Sequence, residues 1–316
     1  MTRSMKILYL LAENEQTVND RLLLGLVKLG YNINENIDVF PYKFSLFGNL
    51  DHKAYFGLPN CNTNVPFITE QLRKGLFDLV FLTDFYFCPY YIEVYREIIR
   101  YIGDTPCVII QEAGVTWSDH WPFGDLNVVA HFSQYVPKDT NLPLIPITFP
   151  LQEQEIGSAE KEYDVFFAGT PSEHRMQYLQ KLLDHGYENI YPYHIDDTMS
   201  GYSARLRKAR VGISISRCRR STLNTFRPIE IAASNSCAFI ENWEDEVIWP
   251  HPFTHNENAI IYNSPDDMLE KLKDILSDEE RLKEISRKGQ EHVINHFLCH
   301  VVAKEVMDIV LERLNK

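Results

Sequence analysis

Residues 217–230, RCRRSTLNTFRPIE, combine the residue types that bind an anion at the start of a helix. Asn224 or Thr225 suits the capping position of a helix that follows, and Pro228 suits its first turn. The first N–H groups of a helix lack partners within it, and the helix dipole places partial positive charge there. Four arginines in the same segment add cationic side chains to this predicted anion site.

Arg227 and Glu230 stand three residues apart at this helix start. A guanidinium offers parallel N–H donors that match phosphate oxygens. A carboxylate one turn further along can accept hydrogen bonds from two neighbouring hydroxyls, such as those of a ribose. The pair therefore suits a nucleoside diphosphate. The alternative is an ion pair on a solvated helix surface, for which the same spacing is typical.

The composition describes a globular, acidic chain of about two domains. It has 316 residues, 45% of them hydrophobic, and a formal net charge of −13. Such a charge disfavours nucleic acid and anionic membranes as partners unless a basic patch is present. The N-terminal apolar run is short for a signal peptide, and we expect no transmembrane segment. The six cysteines include no C-x-x-C pair, which favours reduced thiols and a cytoplasmic location.

Short apolar runs alternate with amphipathic stretches along the chain, and this alternation predicts parallel sheets covered by helices. The predicted strands span residues 6–12, 77–83, 106–111, 127–132, 163–168, 189–195, 211–216, 237–241 and 259–262. The predicted helices span residues 18–29, 90–101, 173–185, 203–209, 228–234, 265–276, 278–297 and 299–315. Residues 143–161 carry three prolines and a polar, acidic stretch, which is typical of a linker between domains.

The predicted fold class is α/β, with two doubly wound parallel-sheet domains that face a cleft. The first domain covers residues 1–150 and the second covers residues 151–298. A terminal helix over residues 299–316 could pack back on the N-terminal domain. In such sheets, ligands bind beyond the carboxyl ends of the strands. Gly169 and Thr170 directly follow one predicted strand, and the arginine segment directly follows another.

Several segments of the second half resemble glycosyltransferases of the GT-B fold. Residues 224–240, NTFRPIEIAASNSCAFI, are similar to their donor-binding pattern N-x-R-x-x-E-A-x-A-x-G followed by a strand. Residues 164–175, DVFFAGTPSEHR, are similar to the strand, glycine turn and arginine-bearing helix that open their second domain. The likeness is greatest to the spore-maturation-type branch of the group 1-like enzymes. It extends over about residues 160–300, whereas residues 1–150 resemble the family only in their alternation of strands and helices.

The resemblance implies a hexosyltransferase-like enzyme built from two Rossmann-like domains. It would move a sugar from a nucleoside diphosphate sugar, with a UDP-sugar as the favoured donor, to a hydroxyl acceptor without a cofactor. Helix starts and arginines replace a metal ion in this family, and the chain contains no D-x-D motif. Glu230 would hold the ribose and Arg227 would lie near the diphosphate. The complete set of predicted donor-binding residues is Gly169, Thr170, Arg175, Arg217, Asn224, Arg227 and Glu230.

Two positions depart from the family pattern. Thr222 stands where the retaining enzymes place an earlier glutamate, and Asn235 or Ser236 stands where a glycine is usual. The identity of the donor sugar and the choice between retention and inversion therefore stay open. The oligomeric state stays open as well.

An inverting enzyme needs a general base that takes the proton from the acceptor hydroxyl. Candidates are acidic or histidine side chains at strand ends of the first domain, although turn caps and surface charges have the same appearance. We favour Asp119 or His120, in the aromatic segment TWSDHWPFG, followed by Glu112. Asp84 follows another predicted strand and is a further candidate.

The acceptor could be a glycan, a lipid-linked sugar, a protein or a small molecule. The net charge disfavours a modified base in DNA. Two alternatives to a transferase remain. A nucleotide-sugar epimerase on the same fold would release an altered sugar nucleotide without any acceptor, and a non-catalytic two-lobed protein would only bind a phosphorylated ligand.

His292, His296 and His300 imitate the spacing of metal ligands along a helix. Their neighbours Val293 and Phe297 are apolar, and no pattern of acidic ligands accompanies them. We therefore interpret the three histidines as packing or surface residues and predict no metal site.

Overall fold

The computed structural model describes residues 5–11, 18–33, 35–41, 65–83, 98–111, 126–134, 136, 138, 141, 143–191, 199–216, 226–242 and 248–316. The chain divides into two compact units. The first comprises residues 1–134, 141–147 and 299–316, and the second comprises residues 135–140 and 148–298. None of the helices within the described ranges is long and apolar enough to cross a membrane. Most of the predicted helix over residues 90–101 lies outside these ranges.

The strands and helices are numbered here in chain order. The strands are β1 (Ile7–Leu11), β2 (Ile37–Pro41), β3 (Leu79–Thr83), β4 (Cys107–Gln111), β5 (Val128–Ser133), β6 (Ile145–Pro146), β7 (Tyr163–Ala168), β8 (Ile190–Tyr191), β9 (Ala209–Ser214), β10 (Cys237–Glu241) and β11 (Ile260–Tyr262). The helices are α1 (Val18–Lys28), α2 (Val65–Arg73), α3 (Glu173–Asp184), α4 (Met199–Arg207), α5 (Phe226–Ala233), α6 (Pro265–Ser277), α7 (Glu279–His296) and α8 (Cys299–Leu314).

The first unit contains a six-stranded parallel sheet in the order β2-β1-β3-β4-β5-β6. Helix α8 packs against α1, and Gly25 permits their close approach because a Cβ there would collide with the carbonyl of Cys299. Strands β2 and β6 and helix α2 are not predicted from the sequence. Strand β6 is only two residues long and lies within the predicted linker, and its Pro146 is tolerated because β6 is an edge strand.

The second unit contains a five-stranded parallel sheet in the order β11-β10-β9-β7-β8. Counted within the unit, this is the order 5-4-3-1-2, which reverses between β7 and β9. On one face of the sheet, apolar residues of α3 and α6 pack against every second residue of the strands and form one buried core. Helices α4 and α5 contact each other and β9 on the other face. The predicted doubly wound parallel sheet is therefore confirmed.

Gly212 lets α4 and α5 approach the centre of this sheet. A Cβ at Gly212 would lie 2.6 Å from Cγ2 of Ile231 on α5 and 3.1 Å from Cδ1 of Leu206 on α4. Both distances are shorter than an ordinary contact between carbon atoms. A larger side chain would therefore displace the helix that carries Arg227 and Glu230 from β9.

Helix α5 begins at Phe226, two residues before the predicted start, and ends at Ala233. Asn235 follows it with a φ of 51°, in the left-handed region. Asparagine enters this region at a lower cost than most residues, and glycine enters it freely. The departure from the usual glycine is thus accommodated by the local backbone, and β10 starts directly afterwards.

We expect Gly212→Ala to lower the free energy of unfolding by about 1–3 kcal/mol, because the added methyl group overlaps Ile231. Ile231→Ala alone should cost about 2–5 kcal/mol, because it leaves a cavity. In the double variant the methyl group occupies part of that cavity, so the combined loss should be smaller than the sum of the two. Urea unfolding followed by circular dichroism measures all three losses. Strictly additive losses would contradict the close approach of α5 to β9.

Candidate functional site

At the carboxyl edge of the second sheet, the chain leaves the strands towards helices on both faces of the sheet. Strands β7 and β9 are neighbours at this edge, although β8 and α4 separate them along the chain. Helix α3 follows β7 on one face, and α5 follows β9 on the other. An open α/β sheet forms a ligand-binding crevice where its strand order reverses in this way.

Arg175, in the first turn of α3, connects the ends of β7 and β9. Its Nη1 donates to the carbonyl oxygen of Thr170 at 2.8 Å, and its Nε donates to the carbonyl oxygen of Ile215 at 3.0 Å. Ser172 caps α3, since its hydroxyl accepts the backbone N–H of Arg175. A Cβ at Gly169 would lie 3.1 Å from Nη1 of Arg175. The turn after β7 is therefore fixed to the end of β9 by one guanidinium.

Glu241, the last residue of β10, accepts three hydrogen bonds although it is only 7% exposed. Its Oε1 lies 2.6 Å from Nε2 of His174 and accepts the hydroxyl of Tyr178 at 3.1 Å. Its Oε2 accepts the backbone N–H of Ser216 at 3.0 Å. These three donors compensate for the loss of water around the carboxylate. We call these four residues the Glu241 network.

Tyr262 lies beside the Glu241 network. Its hydroxyl donates to the carbonyl oxygen of Ser214 at 2.7 Å. Burial raises the pKa of Tyr262 well above its usual value, and the negative charge of Glu241 raises it further. Tyr262 therefore stays protonated and remains a hydrogen-bond donor to the end of β9.

On the opposite face, Tyr202, Arg227 and Glu230 form what we call the Arg227 cluster. Nη1 of Arg227 donates to Oε2 of Glu230 at 2.7 Å. Cζ of Arg227 lies 4.2 Å from the ring centre of Tyr202, within the range of a cation–π interaction. Glu230 is only 7% exposed. The ion pair that the spacing suggests is thus present, but its carboxylate is buried rather than solvated.

The Arg227 cluster holds a permanent positive charge at the first turn of α5. Burial alone lowers the pKa of Arg227, but the interactions with Tyr202 and Glu230 outweigh this effect and raise the pKa. Burial also raises the pKa of Tyr202, so this hydroxyl stays neutral. The charge of Arg227 therefore persists in a partly buried place, where its field is screened less than in water.

Five of the seven predicted donor-binding residues lie at the carboxyl edge of the second sheet: Gly169, Thr170, Arg175, Arg227 and Glu230. The first three are on the α3 side and the last two are on the α5 side. Two further predicted donor-binding residues, Arg217 and Asn224, lie outside the described residues. The four candidates for the catalytic base also lie outside them: Asp84, Glu112, Asp119 and His120.

No local sequence pattern predicts the Glu241 network. His174 and Glu241 are 67 residues apart, and they meet only because β10, β9 and β7 are consecutive in the sheet. One local signal was present, because Glu241 is an acidic residue at the end of an otherwise apolar strand, CAFIE. An acid in that position requires buried donors.

The three histidines with metal-like spacing do not share a helix. His292 and His296 lie on α7, whereas His300 lies on α8. The ring of His292 packs edge-on against Phe253, with centroids 5.0 Å apart, and its Nε2 lies 3.2 Å from the carbonyl oxygen of His251. Burial lowers the pKa of His292. The interruption between α7 and α8 breaks the expected periodicity at His300.

We expect Arg175→Lys to lower the free energy of unfolding by about 1.5–3 kcal/mol, because an ammonium group cannot reproduce the two bonds to Thr170 and Ile215. Arg287→Lys is the control, since Arg287 is an exposed residue of α7 that pairs with Glu284. It should change the stability by less than about 0.5 kcal/mol. Urea unfolding compares the two variants, and equal losses would contradict the bridging role of Arg175.

Residues 185–308 match the model of a family described as glycosyl transferase-like. This range includes the whole Arg227 cluster and Glu241. No curated protein sequence matches the chain.

Solved structures share the fold over nearly the whole chain at low sequence identity. A glycosyltransferase from Rickettsia africae ESF-5 is 10% identical with a TM-score of 0.67, and the match covers 99% of both chains. HepE from Anabaena, in complex with UDP and glucose, is 8% identical with a TM-score of 0.63, and the match covers 98% of this chain and 100% of HepE. An alpha-glucosyltransferase in complex with UDP and a 13-mer DNA is 14% identical with a TM-score of 0.57, and the match covers 98% of this chain and 99% of that enzyme.

The sequence resemblance to the group 1-type enzymes is confirmed at the level of the family and the fold. The spore-maturation-type branch stays a prediction. The match over residues 185–308 makes this part of the chain similar to the glycosyl transferase-like family, and the solved structures show that the chain has the GT-B fold of two Rossmann-like units.

Proposed function

We propose that this protein is a glycosyltransferase that takes its sugar from a nucleoside diphosphate sugar and binds that donor at the carboxyl edge of the second sheet. One observation carries the proposal: the first turns of α3 and α5, with Arg175 and Arg227, flank the reversal of strand order from opposite faces. Nucleotides bind at such reversals in open α/β sheets. The starts of helices favour the phosphate groups.

Arg227 would supply the charge that stabilises the leaving diphosphate. A guanidinium carries five N–H donors, and the bond from Nη1 to Glu230 uses one of them. Phosphate oxygens can therefore be bound without breaking the ion pair. Negative charge grows on the diphosphate as the bond to the sugar breaks, and a fixed cation in a partly buried site stabilises that charge strongly. Glu230, paired with Arg227, would accept hydrogen bonds from the ribose.

A UDP-sugar is the proposed donor. HepE was solved with UDP and glucose, and the alpha-glucosyltransferase was solved with UDP. These complexes support UDP as the first nucleotide to test. We further propose that transfer needs no metal ion, because arginine side chains and helix starts offer positive charge to the diphosphate.

The proposed acceptor is a hydroxyl group of a glycan, a lipid-linked sugar, a protein or a small molecule. Asp119 or His120, or else Glu112, would act as the base of an inverting reaction. Glu112 directly follows β4, whose carboxyl end lies beside that of β5. The net charge of −13 disfavours DNA as an acceptor, although the alpha-glucosyltransferase was solved with DNA.

Thermal-shift titrations with UDP, GDP, ADP and TDP test the proposed donor site. We expect UDP to raise the melting temperature of the wild type, with a stabilisation of about 2.7 kcal/mol at a concentration of 100 times Kd. Arg227→Ala should weaken UDP binding about 10-fold to 100-fold, because it removes a charge-assisted bond to the diphosphate and the ion pair that orients Glu230. Glu230→Gln should weaken UDP binding about 10-fold, because the amide loses an acceptor for the ribose.

Glu284→Gln is the matched control for these titrations. Glu284 pairs with Arg287 at the same three-residue spacing, but both side chains are exposed on α7. This variant should bind UDP as the wild type does. If none of the four nucleotides stabilises the wild type, the donor site is wrongly proposed. If the Arg227 and Glu230 variants behave like the control, the assignment of these two residues is wrong.

A chelator tests the proposed independence from metal ions. We expect the release of UDP from UDP-glucose, or from whichever UDP-sugar is turned over, to continue at the same rate in EDTA. The reason is that Arg227 and the helix starts already neutralise the diphosphate. A coupled assay for free UDP measures this rate. A rate that falls in EDTA and recovers on addition of Mg²⁺ or Mn²⁺ would show that a metal ion participates.

A further inference from the structure

Arg227 is held by two partners in the Arg227 cluster. Its Nη1 donates to Oε2 of Glu230 at 2.7 Å, and its Cζ lies 4.2 Å from the ring centre of Tyr202. The Arg227 side chain is 31% exposed, so part of it stays accessible. An arginine side chain has many rotamers, and time spent in rotamers that do not bind a ligand lowers the apparent affinity. The two contacts restrict these rotamers before a nucleotide binds.

The two partners of Arg227 act differently on its N–H donors. The bond to Glu230 uses one donor and places a negative charge beside the guanidinium. That bond fixes one edge of the guanidinium, and rotation about the bond is still possible. The face of an aromatic ring attracts a cation through its quadrupole and uses no N–H donor. Tyr202 therefore holds the guanidinium without competing with phosphate oxygens for its donors.

The ring of Tyr202 is itself fixed by the core of the second unit. Tyr202 lies on α4, and its ring packs against that of Phe166 on β7, with ring centres 5.5 Å apart. Phe166 is buried. Helix α4 also contacts α5, and both helices approach β9 at Gly212. The ring thus connects a buried residue of a central strand to the arginine in the first turn of α5.

We propose that Tyr202 is a positioning residue of the donor site, whose ring holds the Arg227 guanidinium in the orientation that binds the diphosphate of the nucleotide sugar. This inference rests on the proposed function. Tyr202 acts through Arg227 and needs no contact with the nucleotide. An arginine that is already oriented loses less conformational freedom when it binds phosphate, so the ring should increase the affinity for the diphosphate.

Tyr202 offers Arg227 both a ring face and a hydroxyl group, and substitutions at this position separate the two. Phenylalanine keeps the ring and removes the hydroxyl, whereas leucine removes both. We expect Tyr202→Phe to bind UDP within about threefold of the wild type, because the ring face still attracts the guanidinium. Tyr202→Leu should bind UDP about 5-fold to 30-fold more weakly, because that attraction is lost.

Calorimetric titration of the full chain with UDP measures these affinities. Folded Tyr202→Leu that binds UDP as tightly as the wild type would overturn the inference. Tyr202→Phe that binds UDP as weakly as Tyr202→Leu would also overturn it, because the hydroxyl and not the ring would then account for the loss.

Phenylalanine analogues with fluorinated rings test the contact even if Tyr202→Leu does not fold. Ring fluorines change the shape of the side chain little, but they draw electron density from the ring face and weaken its attraction for a cation. Analogues with one, two and three ring fluorines at position 202 should bind UDP progressively more weakly than Tyr202→Phe. A role in packing alone does not predict this trend. Equal affinities across the series would contradict the proposed contact.

The dependence of the effect on Arg227 is a second test. In a protein that already carries Arg227→Ala, Tyr202→Leu should cause no further loss of UDP affinity, because the ring acts through the arginine. A loss as large as that caused by Tyr202→Leu alone would show that Tyr202 acts on the nucleotide by another route, and the inference would be wrong.

Tyr187→Leu is the matched control. Tyr187 is a partly buried tyrosine that packs against the core of the second unit just before β8, at the amino edge of the sheet. This variant should bind UDP with the affinity of the wild type. If the wild type binds UDP and folded Tyr202→Leu behaves like this control, the inference is overturned and the proposed function stands. If the wild type binds none of the four nucleoside diphosphates, the proposed function fails and this inference fails with it.

Discussion

The peptide group between Ile215 and Ser216 is the constraint on which the rest of the second unit depends. Arg175 binds its carbonyl oxygen and Glu241 binds its N–H, so residues from α3 and β10 hold the end of β9 between opposite charges. The same arginine holds the turn after β7 through Thr170. Hydrogen bonds from Arg175 and to Glu241 therefore connect the carboxyl ends of three neighbouring strands, β7, β9 and β10. A nucleotide that binds at a reversal of strand order requires loops of fixed geometry, and this arrangement provides them.

The two faces of the sheet contribute to the site in different ways. On one face the Glu241 network buries a carboxylate and satisfies it with three donors. On the other face Gly212 lets α5 approach β9, and the approach places Arg227 over the ring of Tyr202. Both faces thus present a cation at the first turn of a helix, in a chain whose overall charge is −13. These two arginines lie where the proposed leaving diphosphate would require positive charge.

The sequence predicts most strands of the second unit and its long helices because these elements are determined by local patterns. A buried parallel strand is a continuous apolar run, as in β7 and β10. The predicted helix over residues 265–276 matches α6, whose first turn Ser264 caps by accepting the backbone N–H of Asp267. Strand β6 is not predicted, because two residues are too few to show the periodicity of hydrophobic residues from which a strand is predicted. The spacing of Arg227 and Glu230 predicts both an ion pair and a binding site, and it does not reveal that Glu230 is buried. The pairing of His174 with Glu241 depends on strand order, which no local pattern encodes.

A crystal structure of the protein with UDP bound is the most direct test of the proposed donor site. The diphosphate should lie at the carboxyl edge of the second sheet, between the first turns of α3 and α5. Phosphate oxygens should lie within hydrogen-bonding distance of the Arg227 guanidinium, and the ribose hydroxyls should face Glu230. A nucleotide bound at the first sheet, or at the amino edge of the second, would contradict the proposed donor site.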